Sequence, residues 1–189
     1  LVDKVTIKDS AKVDSILFES NLLDHQLEYR FQLQPKDTVN SLDLNGKVKW
    51  EEEFYSMVMD TRSLLINAQK WAMDNSNKIS FLTNGLAVSD VKIFSESQSI
   101  AINSENVHPD SIVNLDLEFE NLNLEDFSQL IKLGEITLTG LVDGSVQLLD
   151  VFSSPSITGD VSIQTLTINK DTVGDIEFHA KLNNQAKRI

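Results

Sequence analysis

The chain of 189 residues contains no cysteine, which removes a disulfide scaffold and any thiolate zinc site and leaves the redox compartment open. Positive charge is scarce: 16 Lys and Arg stand against 29 Asp and Glu, a formal charge of −13. Nucleic acid and anionic lipid surfaces both attract through Lys and Arg, so neither is expected as a docking partner. No run approaches the ~18 apolar residues of a membrane span, and nothing near the start resembles a signal peptide. Gly-x-Ser-x-Gly, Walker and Rossmann glycine patterns are missing, which leaves acyl transfer and nucleotide chemistry without a foothold. Long helical patterns between strands are missing too, and with them a parallel βαβ design.

Candidate chemistry is thin. The three histidines, His25, His108 and His179, are far apart and show no metal-ligand spacing. No Asp-x-Asp-x-Asp-Gly calcium loop occurs, and Glu51-Glu52-Glu53 reads as a solvated strand end. Asp116, Glu118 and Glu120 place three carboxylates on one face of a strand, successive ones roughly 6.5 to 7 Å apart. Glycosidases use carboxylate pairs at about that separation. Sugar sites also want stacking rings, however, and the chain offers only Trp50, Trp71, Tyr29 and Tyr55 beside its phenylalanines. A solvated polar face is the better reading. Neither a catalytic residue, nor a metal, nor a cofactor is expected.

What the chain does have is alternation. With 41% hydrophobic residues it is globular in composition, and apolar and polar positions change places step by step. Leu27, Tyr29, Phe31 and Leu33 interleave with Glu28, Arg30 and Gln32; Leu42, Leu44, Val48 and Trp50 with Asp43, Lys47 and Lys49. Val113, Leu115, Leu117 and Phe119 interleave with Asn114, Asp116 and Glu118; Ile136, Leu138, Val142, Val146 and Leu148 share a parity opposite Thr137, Thr139, Asp143, Ser145 and Gln147. Such a pattern predicts roughly a dozen strands with one apolar face each.

Parity breaks between Phe119 and Leu122 and between Ile163 and Leu166 predict an extra residue, hence a bulge that curves the sheet while keeping the same face inward. Turns are expected at Asn45-Gly46, Asn84-Gly85, His108-Pro109-Asp110, Asp143-Gly144 and Ser153-Ser154-Pro155-Ser156. Trp71 to Phe81 reads as a hairpin turning at Asp74 to Asn77. One helix is expected over 124–133, capped by Asn123, with Phe127, Leu130 and Ile131 on one stripe and Gly134 past its end. Three turns cannot shield a dozen strands. Either two sheets close on each other as a sandwich or barrel, or the sheet stays open and something else occupies its concave face.

Several cues in order resemble the TamB family of the AsmA-like superfamily, in its long Bacteroidetes-type versions. They are Leu138-Thr-Gly140, Gly144 in the following stretch, Pro155, Ile157-Thr-Gly159, the pair through Leu166-Thr-Ile168, and Val173-Gly174-Asp-Ile176. Val91-Lys-Ile-Phe94 followed by Ser97-Gln-Ser-Ile100, with the Trp71 segment before it, looks like the part that precedes such repeats, and the likeness covers approximately residues 40 to 182. The resemblance implies a β-taco, a long antiparallel sheet folded into a trough with an apolar interior, here as a single segment over 1–189. The chain starts in strand rhythm without Met, which we read as a piece cut from a longer protein. A dozen strands would give a trough roughly 55 to 60 Å long, with terminal strands as cut edges that invite pairing.

The family likeness further implies a conduit in the periplasm, part of an inner-membrane-anchored protein, that carries phospholipid between inner and outer membranes and is linked to outer-membrane protein assembly. Expected partners are phospholipid acyl chains, an outer-membrane barrel and neighbouring segments of the same chain, with no nucleic acid. Expected lining residues are Val142, Val146, Leu148, Val161, Ile163, Leu166, Ile168, Ile176 and Phe178, each serving packing or lipid contact. The alternative is a closed β-sandwich that serves as a binding or carbohydrate-active module of a secreted protein.

Overall fold

The structure, a computed structural model, describes residues 2–8, 13–35, 41–66, 68–82, 85–104, 114–128, 136–151 and 155–182. Alternation becomes strand throughout. The first half comprises β1 (Val2–Lys8), β2 (Val13–Leu23), β3 (Gln26–Pro35), β4 (Ser41–Trp50), β5 (Tyr55–Ile66), β6 (Gln69–Met73) and β7 (Lys78–Leu82). The second half comprises β8 (Gly85–Ser89), β9 (Val91–Ser95), β10 (Gln98–Ser104), β11 (Leu115–Asn123), the short helix α1 (Leu124–Ser128), β12 (Leu138–Leu149), β13 (Ser156–Ile168) and β14 (Asp171–Leu182). All pair antiparallel in one 14-stranded sheet that starts at β1 and ends at β14, and these two do not pair with each other. Of the two architectures that alternation leaves open, the open sheet is the one observed; the closed sandwich is not.

The register reduces the fourteen strands to a simpler meander. Leu64 pairs with Trp71 and Met57 with Ile79, so β6 and β7 run along β5 in nearly one register. They are two halves of one long strand interrupted at Asp74 to Asn77. Likewise Met73 pairs with Ile93 and Lys78 with Ser89, which makes β8 and β9 one strand broken at Asp90. The segment read as a hairpin from Trp71 to Phe81 therefore does not reverse direction. Asn77 explains why the interruption is tolerated. Its side chain, 1% exposed, accepts from the Met59 N–H at 2.8 Å and donates to the Met59 carbonyl at 2.7 Å, standing in for the missing strand neighbour of β5.

Both predicted parity breaks are register shifts, one between Phe119 and Leu122 and one between Ile163 and Leu166. At each, one residue turns left-handed, Asn121 at φ 46 and Thr165 at φ 51. The N–H that would otherwise lose its ladder partner donates to a carboxylate on the next strand: Asn121 to Asp143 and Thr165 to Asp175, both at 2.8 Å. The device recurs at the strand ends, where left-handed Asp90 and Asp150 donate to the Oδ1 atoms of Asn103 and Asn114.

Asn45-Gly46 and Asp143-Gly144 lie inside β4 and β12 and are not turns. Gly144, at φ 138, is needed because the Asp160 carbonyl and Val161 Cα occupy the space of a Cβ. Gly46 lies beneath the Tyr29 ring in the same way. The β13–β14 link is a two-residue turn at Asn169 (φ 50) and Lys170 (φ 79), the type I′ geometry that matches strand twist. The turn positions at Asn84, His108-Pro109-Asp110 and Ser153-Ser154 lie outside the described residues, as do 129–133 of the expected helix and Gly134 past its end; its described part is Leu124–Ser128, with Asn123 Oδ1 accepting from the Glu125 N–H at 3.0 Å.

Curvature follows from what touches what. Ile66 and Trp71, from β5 and β6, share one apolar cluster with Leu122 and Val142, from β11 and β12. Flat spacing of ~4.8 Å per strand would hold β5 about 24 Å from β12. The sheet bends and α1 bridges the remainder, with Phe127 and Leu124 packed on that cluster.

Replacing Asn77 with Ala strips partners from two half-buried backbone groups of Met59, and we expect a loss of about 1–3 kcal/mol in urea unfolding; a loss below ~0.5 kcal/mol would mean water substitutes freely for the amide.

Candidate functional site

The register assembles the predicted lining residues on one face. Val142 lies beside Ile163 and Ile163 beside Ile176; Val161 lies beside Phe178; Val146 and Leu148 pair with Gly159 and Ile157. After the bulge, Leu166 sits opposite Gly174 and Ile168 opposite Leu138. The same rows continue into β11 and β10, through Leu122, Phe119 with Ile100, and Leu117 with Ile102. All nine positions share the apolar side.

They differ in depth. Val142 and Leu166 are buried, at 7% and 6% exposure, and Val161 and Ile163 pack against the central cluster. Val146, Leu148 and Ile176 are half-buried. Ile168 and Phe178, at 37% and 49%, are exposed to solvent. The lining set is thus a gradient from a dry centre beneath α1 to an uncovered apolar surface towards β14. Towards the other end the same face carries Phe18, exposed and stacked on Tyr29 with ring centroids 6.4 Å apart, beside Phe31 and Leu44 in register.

The centre is only partly legible in the sequence. Trp71 meets Phe127 edge-on, with centroids 5.3 Å apart and planes at 80°. Gln98 of β10 ties α1 to the sheet: its Nε2 donates to Gln69 Oε1 and Asp126 Oδ2, both at 3.1 Å, and its Oε1 accepts from the Asn123 N–H at 2.8 Å. Nothing in the pattern marks Gln98, because a glutamine in an apolar phase resembles a lapse in alternation.

The opposite face is mostly polar, with Phe94 and Val58 exposed on it, and several of its charged groups are paired across strands. Arg30 makes a two-pronged contact with Asp43, at 3.0 and 2.7 Å, and the pair's hydrogen bond and charge raise the guanidinium pKa further. Of the carboxylates on β11, Asp116 accepts from Gln147 at 2.8 Å, while Glu120 accepts from Ser99 at 2.6 Å and from Lys92 at 3.2 Å, which hold it below the ordinary carboxylate range. Asp116 and Glu120 thus serve cross-strand contacts. Among the described residues no group of His, Asp and Glu is arranged to hold a metal. Glu51 to Glu53 lie exposed in the β4–β5 link, His25 sits in the β2–β3 turn, and His108 lies outside the described residues. No described helix is long and apolar enough to cross a membrane.

No family model, curated protein or solved structure matches the chain. The TamB likeness therefore rests on the sequence motifs alone.

Among the described residues His179 is the histidine with a defined side-chain partner, Asp160 Oδ1 at 2.6 Å across β13 and β14, with Glu177 3.9 Å away. The hydrogen bond and charge of Asp160 raise its pKa above the ordinary 6.5. The protonated pair contributes below the unfolded-state value, and the contribution is lost as pH rises through the folded value. An NMR titration should place the His179 midpoint above 6.5, and Asp160→Asn should bring it back down; an unchanged midpoint in that variant would contradict the pairing.

Proposed function

We propose that this chain is a structural segment of a conduit that carries phospholipid between inner and outer membranes, its acyl chains lying on the apolar concave face of the open sheet. The observation that carries the reading is the uncovered stretch from Val146 and Leu148 through Ile176 to Ile168 and Phe178, on a sheet with no second sheet above it among the described residues.

Physical magnitudes make the role intelligible. Each methylene removed from water is worth ~0.8 kcal/mol, so a lipid with roughly thirty of them faces on the order of 20 kcal/mol in crossing an aqueous gap. A continuous apolar surface offsets most of that while the charged headgroup stays in solvent. The reaction is movement, with no bond made or broken, so the proposed role is non-enzymatic and needs no cofactor. The acidic, hydrogen-bonded outer face suits a soluble periplasmic setting. An outer-membrane barrel and neighbouring segments of the same chain are the proposed protein partners, through the link to outer-membrane biogenesis that the TamB likeness implies.

The gradient of burial chooses the probe. Ile163 packs on the central cluster, so Ile163→Asp would damage the fold and the face together. Val146 is half-buried beside Leu117 and Gly159, clear of that cluster. Protein purified from cells and extracted for mass spectrometry should carry phospholipid near stoichiometry. Val146→Arg should reduce it several-fold while the melting temperature moves by only a few degrees. Lipid-free protein, or equal loss of lipid and fold, would contradict the reading, and sugar binding by clean protein would favour the carbohydrate module.

A further inference from the structure

The concave face is obstructed at its middle. α1 lies across it where β6 and β12 approach each other, its Phe127 ring against Trp71 and its Leu124 on the same cluster. Trp71 is 4% exposed, yet its indole N–H has no hydrogen-bond partner among the described residues. A buried donor without an acceptor is costly, and indole normally finds one. Lifting α1 would give that N–H a partner, whether water or a lipid ester oxygen, and this compensates in part for parting the Trp71 and Phe127 rings. The described part of α1 is anchored through Phe127 and Leu124 on the cluster and through the Gln98 hydrogen bonds to Asp126 and Asn123.

We propose that α1 is a gate across the trough: acyl chains lodged on the β12–β14 face stop where Trp71 meets Phe127 and pass towards β5 only when α1 lifts. The gate rests on the lipid-conducting reading, and the test separates the two. Trp50 and Trp71 are the only tryptophans. Trp50 packs edge-on against Tyr55 at the β4–β5 link. Trp50→Phe therefore leaves Trp71 as the single tryptophan reporter of the gate.

The W50F protein is incubated with vesicles of phosphatidylethanolamine and phosphatidylglycerol whose acyl chains are brominated, then reisolated, and retained lipid is counted by mass spectrometry. The expected result is lipid retained with Trp71 emission nearly unquenched. Adding Phe127→Ala should make Trp71 quenchable and speed lipid transfer between vesicles several-fold. Gln98→Ala, which loosens the helix anchor and leaves the rings in place, should act in the same direction, with circular dichroism showing that each variant stays folded. Retained lipid that quenches Trp71 fully while α1 is intact overturns the gate alone, as does an unchanged transfer rate in both folded variants. Absence of retained lipid overturns the conduit reading and the gate with it.

Discussion

The fold depends on one constraint: an antiparallel meander of one-faced strands must keep its apolar sides together although only a short described helix is available to cover them. A one-residue slip in any strand would turn its whole apolar set outward. Register is therefore held firmly wherever the face is buried, and the bulges at Asn121 and Thr165 absorb an extra residue so that Leu122 and Leu166 regain the inner side; further register shifts lie at Val13/Ser15, Asp43/Leu44 and Thr139/Leu141. Curvature is the geometric product, since bulged strands bend and twist more than regular ones. Bending is also what brings β5 and β6 into one cluster with β11 and β12.

Interruptions of a ladder strand polar backbone groups, and at five of them the chain supplies an Asx side chain from a neighbouring strand or from the residue that precedes one. Asp143 and Asp175 take the N–H groups at the bulges, Asn103 and Asn114 those at the strand ends, and Asn77 both backbone groups of Met59. These short side chains reach one strand spacing and no further, which suits the distance between neighbouring backbones. They also explain part of the acidic excess: some carboxylates are structural acceptors and not a field set up for a charged partner. A frame held in this way can stay rigid while its apolar face remains partly bare.

Period two, the absence of βαβ units, the bulges and the Asn123 cap are all legible in the sequence, because each is a local rule acting within a few residues. Asn45-Gly46 and Asp143-Gly144 mislead for an equally local reason. Inside a strand the same dipeptides serve other ends: Asp143 accepts from the Asn121 N–H while Gly144 lets the β13 backbone approach, and Gly46 leaves room for the Tyr29 ring, so only the partner strand decides which use applies. The Trp71 segment reads as a reversal because Asp74 to Asn77 has turn chemistry, whereas the buried Asn77 amide keeps β7 in line with β6. Asn169-Lys170, without a glycine, carries only the weak turn signal of its asparagine. For the candidate site, membership of the face is legible and depth is not. Val142 and Phe178 lie on the same face, but one lies near α1 and the other on the last strand, a difference set by curvature and by packing across the hollow.

The functional account reduces to one claim, that acyl chains occupy the concave face. Phospholipid bearing a photoactivatable diazirine near the end of one acyl chain, crosslinked to the purified chain and mapped by peptide mass spectrometry, tests it directly. The account predicts adducts on Val146, Leu148, Ile168, Ile176 and Phe178. Adducts confined to the opposite face, on β9 and β11 around Lys92, Glu118 and Glu120, or an absence of adducts at lipid excess, would contradict it.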